Sequence, residues 1–180
     1  MNRLTFAAAT VLSLALGATN VLAQSVGEKT GVNSVLGVAP ATADFVKEAA
    51  LSDLTEIATS KLAQDRGDAD AKTFASQMIT DHTKTSAELK ALVGGDLKAA
   101  LPTALDETHQ KKVDKLSEAK AENFTSDYAA MQVSAHKDAV SLFERYAKGG
   151  EDPKLKDWAG KTLPHLQHHL EMAQSLNKKK

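Results

Sequence analysis

There is no cysteine anywhere in the 180 residues. A disulfide framework, a thiol nucleophile, a thiolate metal site and a lipid-modified N-terminal cysteine are excluded together. Aromatic residues make up 4% of the chain and the net charge is −1. The basic, aromatic-laced surface that grips nucleic acid is therefore missing. So is the alternation that marks strands or a β-barrel. No Gly-rich phosphate loop, Gly-x-Ser-x-Gly elbow or His-Glu-x-x-His motif occurs. After residue 23 no apolar run approaches the ~20 residues of a membrane-spanning helix. An ordinary hydrophobic core must hold the chain, and its length suits one domain.

Residues 1–23 read as a cleaved signal peptide. Arg3 supplies the positive start, Leu4 to Leu16 the apolar stretch, and Val21-Leu22-Ala23 the small-residue cleavage site. The implied destination is periplasmic or secreted. Residues 24–41 carry Gly27, Gly31, Gly37 and Pro40 and read as a flexible leader. Residues 42–177 form the folded domain, and 178–180 a solvated basic tail.

What the chain does have is helical periodicity. Leu155, Ala159, Thr162, Leu166, His169, Ala173 and Leu176 alternate spacings of four and three, one seam of an amphipathic helix. Phe45, Ala49, Ser52, Glu56, Thr59 and Ala63 repeat the pattern over about 43–63. Ala71, Ala75, Met78, His82, Thr85, Leu89 and Leu92 do so over about 69–93. A fourth long helix is predicted over about 127–148 and a shorter one over about 104–121. Thr42 or Asp44, Asp68 or Asp70, and Thr125 or Ser126 are placed to cap helix starts. Pro153 suits a first helical position. Pro164, with Gly160 four residues earlier, predicts a kink rather than an end. The fold class is all-α: a four-helix up-down bundle with an additional short helix at the middle crossing.

Each long helix puts one metal-ligand residue type on its inward face: Glu56, His82, His136 and His169. Core metal sites in bundles are built this way, and imidazole suits zinc, copper or iron. The same residues also fit a metal-free core in which satisfied polar groups fix the helix register. Counted from Gly149-Gly150, His136 lies fourteen residues back and His169 nineteen forward. That mismatch of ~7 Å of helix rise makes His165 a substitute or additional ligand. His168 reads as surface, Asp106 and His109 as a surface pair, and Met78, Met131 and Met172 as core filler. Carboxylate-bridged di-iron chemistry is excluded because no Glu-x-x-His motif occurs.

Met78-Ile79-Thr80-Asp81-His82, Tyr128-x-x-Met131 followed by His136, and Leu163-Pro164-x-Leu166-x-x-His169-Leu170 resemble the bacterial exported proteins grouped as domain of unknown function 4142. Phe45 with Glu56 adds to the likeness, which runs from about Ala41 to Leu176. The resemblance implies a ferritin-like fold, often labelled an outer-membrane protein, without a settled activity. Its motif positions here are Glu56, Asp81, His82, Tyr128, His136, Pro164 and His169, so it favours His169 over His165 and adds Asp81 as a candidate. Where the family usually has Asp after the phenylalanine matching Phe124, this chain has Thr125. The expected function is a periplasmic bundle that holds one transition metal for sequestration, sensing or envelope stress. A metal-free interaction module with a protein partner is the alternative. A metal-dependent oxidoreductase ranks behind both, so the chain reads as a binding protein more than an enzyme.

Overall fold

The computed structural model describes Glu28 and residues 31–179; the expected signal peptide lies outside them. Four long helices dominate: α2 (Thr42–Arg66), α3 (Ala69–Leu92), α5 (Phe124–Gly149) and α6 (Pro153–Lys178). A short α1 (Val32–Leu36) precedes them. A 3₁₀ segment (Gly95–Ala100) and α4 (Glu107–Ser117) occupy the middle crossing. Among the described residues all regular structure is helical, and no helix is long and apolar enough to cross a membrane.

The turns explain the pairing. A Cβ at Gly67 would sit 2.6 Å from the Ala63 carbonyl oxygen, and one at Gly150 2.6 Å from that of Tyr146. Only glycine permits either chain reversal. Asp68 caps α3 by accepting from the Ala71 N–H at 3.0 Å. Asp152 caps α6 by accepting from Lys154 and Leu155, each at 2.9 Å. With Pro153 at its first position and Pro164 within it, α6 runs unbroken to Lys178. Two hairpins result, α2/α3 and α5/α6. They close into a bundle as α2 packs on α5 and α3 on α6, while α4 lies against α2 and α5.

Some expectations fail for local reasons. Thr42 caps nothing: α2 starts without a side-chain cap, and Thr42 Oγ1 accepts from the Tyr146 hydroxyl at 2.9 Å. Thr125 does not cap α5 either, because the helix starts one residue earlier, at Phe124. Its hydroxyl accepts from the Asp68 N–H at 3.3 Å, tying the α2–α3 turn to the start of α5. Leu92 is exposed, and Val93 is buried in its place.

Nor is the described part of the leader simply extended. α1 lies against α5, and Ser34 Oγ is 3.0 Å from Ser141 Oγ. Arg145 of α5 donates to Glu28 at 3.0 and 2.6 Å and to the Val38 carbonyl at 2.8 Å. A guanidinium buried this deeply needs such partners.

The core has two apolar clusters. In one, Phe45 stacks on Tyr146 with ring centroids 3.8 Å apart, and the edges of Phe143 and Trp158 close around it. Leu89, Leu155 and Leu166 complete that cluster. The other gathers Phe74, Met78, Leu116, Phe124, Tyr128 and Leu176. Along every long helix a buried polar layer separates the two. α2 gives Asp53, Thr55, Glu56, Thr59 and Ser60; α3 gives His82; α5 gives Gln132 and His136; α6 gives His169. Such a layer costs stability unless its groups are satisfied.

Candidate metal centre

Three imidazoles meet in that layer. The His82–His136, His82–His169 and His136–His169 ring centroids are 5.6, 5.5 and 5.5 Å apart, close to an equilateral triangle. One ring nitrogen of each lies within 4.8 Å of the other two. All three residues are at most 5% exposed.

Each ring is held from behind by an oxygen. Asp53 Oδ1 is 2.8 Å from His82 Nδ1, the Gln132 carbonyl 2.9 Å from His136 Nδ1, and Asp81 Oδ2 2.9 Å from His169 Nε2. A carboxylate or carbonyl can only accept, so each of these nitrogens carries the proton in the neutral ring. The lone pairs are left on His82 Nε2, His136 Nε2 and His169 Nδ1. Those three atoms are buried and have no hydrogen-bond partner. Imidazoles that bind metals are oriented by the same kind of outer contact.

The surrounding field is negative. Burial works against charge on His82, but the hydrogen bond and charge of Asp53, helped by Glu56 and Asp81, raise its pKa above the ordinary value. Burial lowers His136, with Glu56 opposing it only in part. Burial takes His169 down to about 4 despite the Asp81 hydrogen bond. Asp81 itself is held low: burial resists its charge, and hydrogen bonds from Gln77 and His169 more than compensate. At neutral pH the His136 and His169 rings are therefore neutral and able to donate a lone pair.

The structure thus brings together three of the four residues expected at the core. Glu56 is buried, and its Oε2 has no partner, yet it stands outside the 4.8 Å group. His165 is exposed and His169 buried, so the alternative ligand is set aside. The reason is geometric. Side chains lean toward the N-terminus of their own helix, and α5 and α6 are antiparallel. His136 leans away from the Gly149-Gly150 turn and His169 toward it, which closes the gap that residue counting predicts. Asp81 sits behind His169, with Oδ2 accepting from the ring Nε2–H at 2.9 Å. Asp106, read as a surface partner of His109, also caps α4, accepting from both the His109 N–H and its ring.

Sequence reasoning misses Asp53. Its Oδ2 accepts from Thr85 at 2.9 Å and Ser86 at 3.0 Å, so both oxygens are engaged and the His82 ring is fixed. Its position three residues before Glu56, on the same helical face, is the signal that was available. Gln132 is the other omission. Its backbone holds His136, its amide donates to Thr59 at 3.3 Å, and its Oε1 is buried without a partner.

A family model described as a domain of unknown function (DUF4142) matches residues 27–176. The chain belongs to that family. The match takes in all three imidazoles and the groups behind them, and it begins within the stretch read as a leader. No curated protein and no solved structure matches this DUF4142 chain.

Chemically, the three inward nitrogens can hold a borderline cation. Metal–nitrogen bonds of ~2.0–2.1 Å in a tetrahedron place neighbouring nitrogens about 3.4 Å apart. The three nitrogens, within 4.8 Å of one another, would have to draw closer to reach that spacing. Three protein ligands leave one position over.

Proposed function

We propose that this protein binds one transition-metal ion, zinc, copper or iron, through His82, His136 and His169, and holds it in the bacterial cell envelope. The convergence of three buried, unpartnered ring nitrogens carries the reading. Each buried acceptor without a donor costs ~1–3 kcal/mol. With all three rings neutral, the facing lone pairs also repel one another, and one cation removes both penalties. The carboxylates of Asp53, Asp81 and Glu56 favour positive charge at the same place. Glu56 is the protein group best placed for the remaining coordination position.

Residues 1–23, as a signal peptide, deliver the chain to the periplasm or beyond. There a site of three imidazoles without a thiolate serves sequestration or sensing of the ion. The metal-free module is favoured less, because register could be fixed by hydrogen-bonded groups without leaving three nitrogens unsatisfied.

The test is metal analysis of untagged protein purified from the periplasmic fraction. About one equivalent is expected, lost in a His82→Ala/His169→Ala double variant. Protein that retains no metal, and whose melting curve ignores added zinc or copper, would leave the interaction module as the better reading.

A further inference from the structure

A cleft of about 1140 Å³ runs beneath α4, between α2 and α5. Ser52, Thr55 and Glu56 of α2 line it on one side, and Met131, Ala135 and Ala139 of α5 on the other. Glu56 is the residue that joins two environments. It lines this cleft, yet it is 2% exposed and its Oε2 has no hydrogen-bond partner. It also belongs to the polar layer that holds the imidazoles.

We infer that this cleft is the route by which a divalent cation reaches the three histidines, with Glu56 as the transfer group at its inner end. The inference rests on the metal-binding reading above. A cation crossing from water into a buried site must exchange hydration for protein oxygens stepwise, since an unpaired charge in an apolar wall is prohibitive. An unpartnered carboxylate at the inner wall supplies that intermediate stop. Farther out, Glu48, Asp127 and Asp138 line the cleft together with Lys112 and Lys115, so the carboxylate that matters is the deep one. On the α3–α6 face, Asp81 is tied through one oxygen, Oδ2, to the His169 ring and to Gln77 at 2.6 Å, which makes it a fixed support of that ring.

Rapid mixing of metal-free full-length protein with cobalt(II), followed by its visible absorption, tests the route. Glu56→Gln is expected to slow loading about tenfold or more, as removal of a focusing charge does. Ser52→Trp, which plugs the cleft one turn from Glu56, is expected to slow loading and chelator-driven release together, leaving the equilibrium affinity unchanged. Lys84→Trp, at an exposed position on the α6 side of α3, is expected to change neither rate. If Glu56→Gln does not fold, the Ser52→Trp and Lys84→Trp pair still decides. Unchanged rates in Ser52→Trp or in folded Glu56→Gln, or slowed rates in Lys84→Trp, overturn the route while the metal site stands. Wild-type protein that binds no cobalt at equilibrium overturns the metal site itself.

Discussion

Asp53 Oδ1 lies 2.8 Å from His82 Nδ1, while the other carboxylate oxygen takes hydrogen bonds from Thr85 and Ser86. That division of labour fixes the His82 tautomer. In Asp53→Asn the two hydroxyls claim the amide oxygen, so the NH₂ faces His82. The ring must then accept at Nδ1 and carry its proton on Nε2, where a metal would bind. Metal affinity should fall about 10–100-fold, the usual cost of losing an outer partner, with helical content unchanged. Competition against a chelator of known affinity measures it.

Asp81→Asn should cost less. Asp81 is partly exposed, and an amide there can rotate to offer His169 its oxygen. A loss near the lower end of that range, about tenfold, is expected in the same assay. A larger loss than in Asp53→Asn would reverse the assigned importance of the two carboxylates.

Metal should stabilise the fold. At a free concentration about a hundred times Kd the gain is ~2.7 kcal/mol, or about 5–10 °C in melting temperature for a domain of this size. Chelator should return the curve to its starting point. His165→Ala and His168→Ala should keep the whole shift, because both residues are exposed, whereas His136→Ala should abolish it.

Alkaline pH should destabilise the protein independently of metal. Burial raises both tyrosines above the ordinary value of 10.0; Tyr128 is shifted further, its hydroxyl enclosed beside Ser60, and Tyr146 sits beside Thr42. The folded phenols keep protons that the unfolded chain releases, so the native state binds more protons above about pH 10. Stability is full below that value and falls as pH rises through it. The urea midpoint should drop between pH 9 and 11, and tyrosinate absorption should appear together with unfolding. Tyr128→Phe should flatten the loss.

Phe45→Ala separates stability from binding. The ring is fully buried and touches Tyr146, Phe143 and Trp158. Its removal should cost about 3–5 kcal/mol, read from denaturant midpoints. Metal stoichiometry of the folded fraction should stay at one.

Heptad spacing alone exposes the four long helices, because Leu155 to Leu176 and its counterparts repeat over six or seven positions. Turn chemistry is nearly as plain: Gly67, Gly150, Asp68 and Pro153 act where their types predict. The three imidazoles are readable too, since His82 and His169 stand in heptad seams and His136 lies toward one edge of an apolar helix face. What resists reading is what stands behind the rings. Asp53 shares a helical face with Glu56, but its value depends on which way a residue twenty-nine positions later points. The choice between His165 and His169 needs side-chain tilt, which residue counting leaves out. Arg145 also looks like any surface cation until α1 and Glu28 lie over it.

The Arg145–Glu28 contact limits where the chain can be trimmed. A cut after Ala23 leaves Glu28 attached, and the guanidinium stays neutralised within the wall of the bundle. Removing Glu28 as well would leave this buried charge with the Val38 carbonyl as its remaining acceptor and no counter-charge, its Nε already lacking a partner. Glu28 thus acts as a stopper, and a protease nick just beyond it would loosen the bundle from its N-terminal edge.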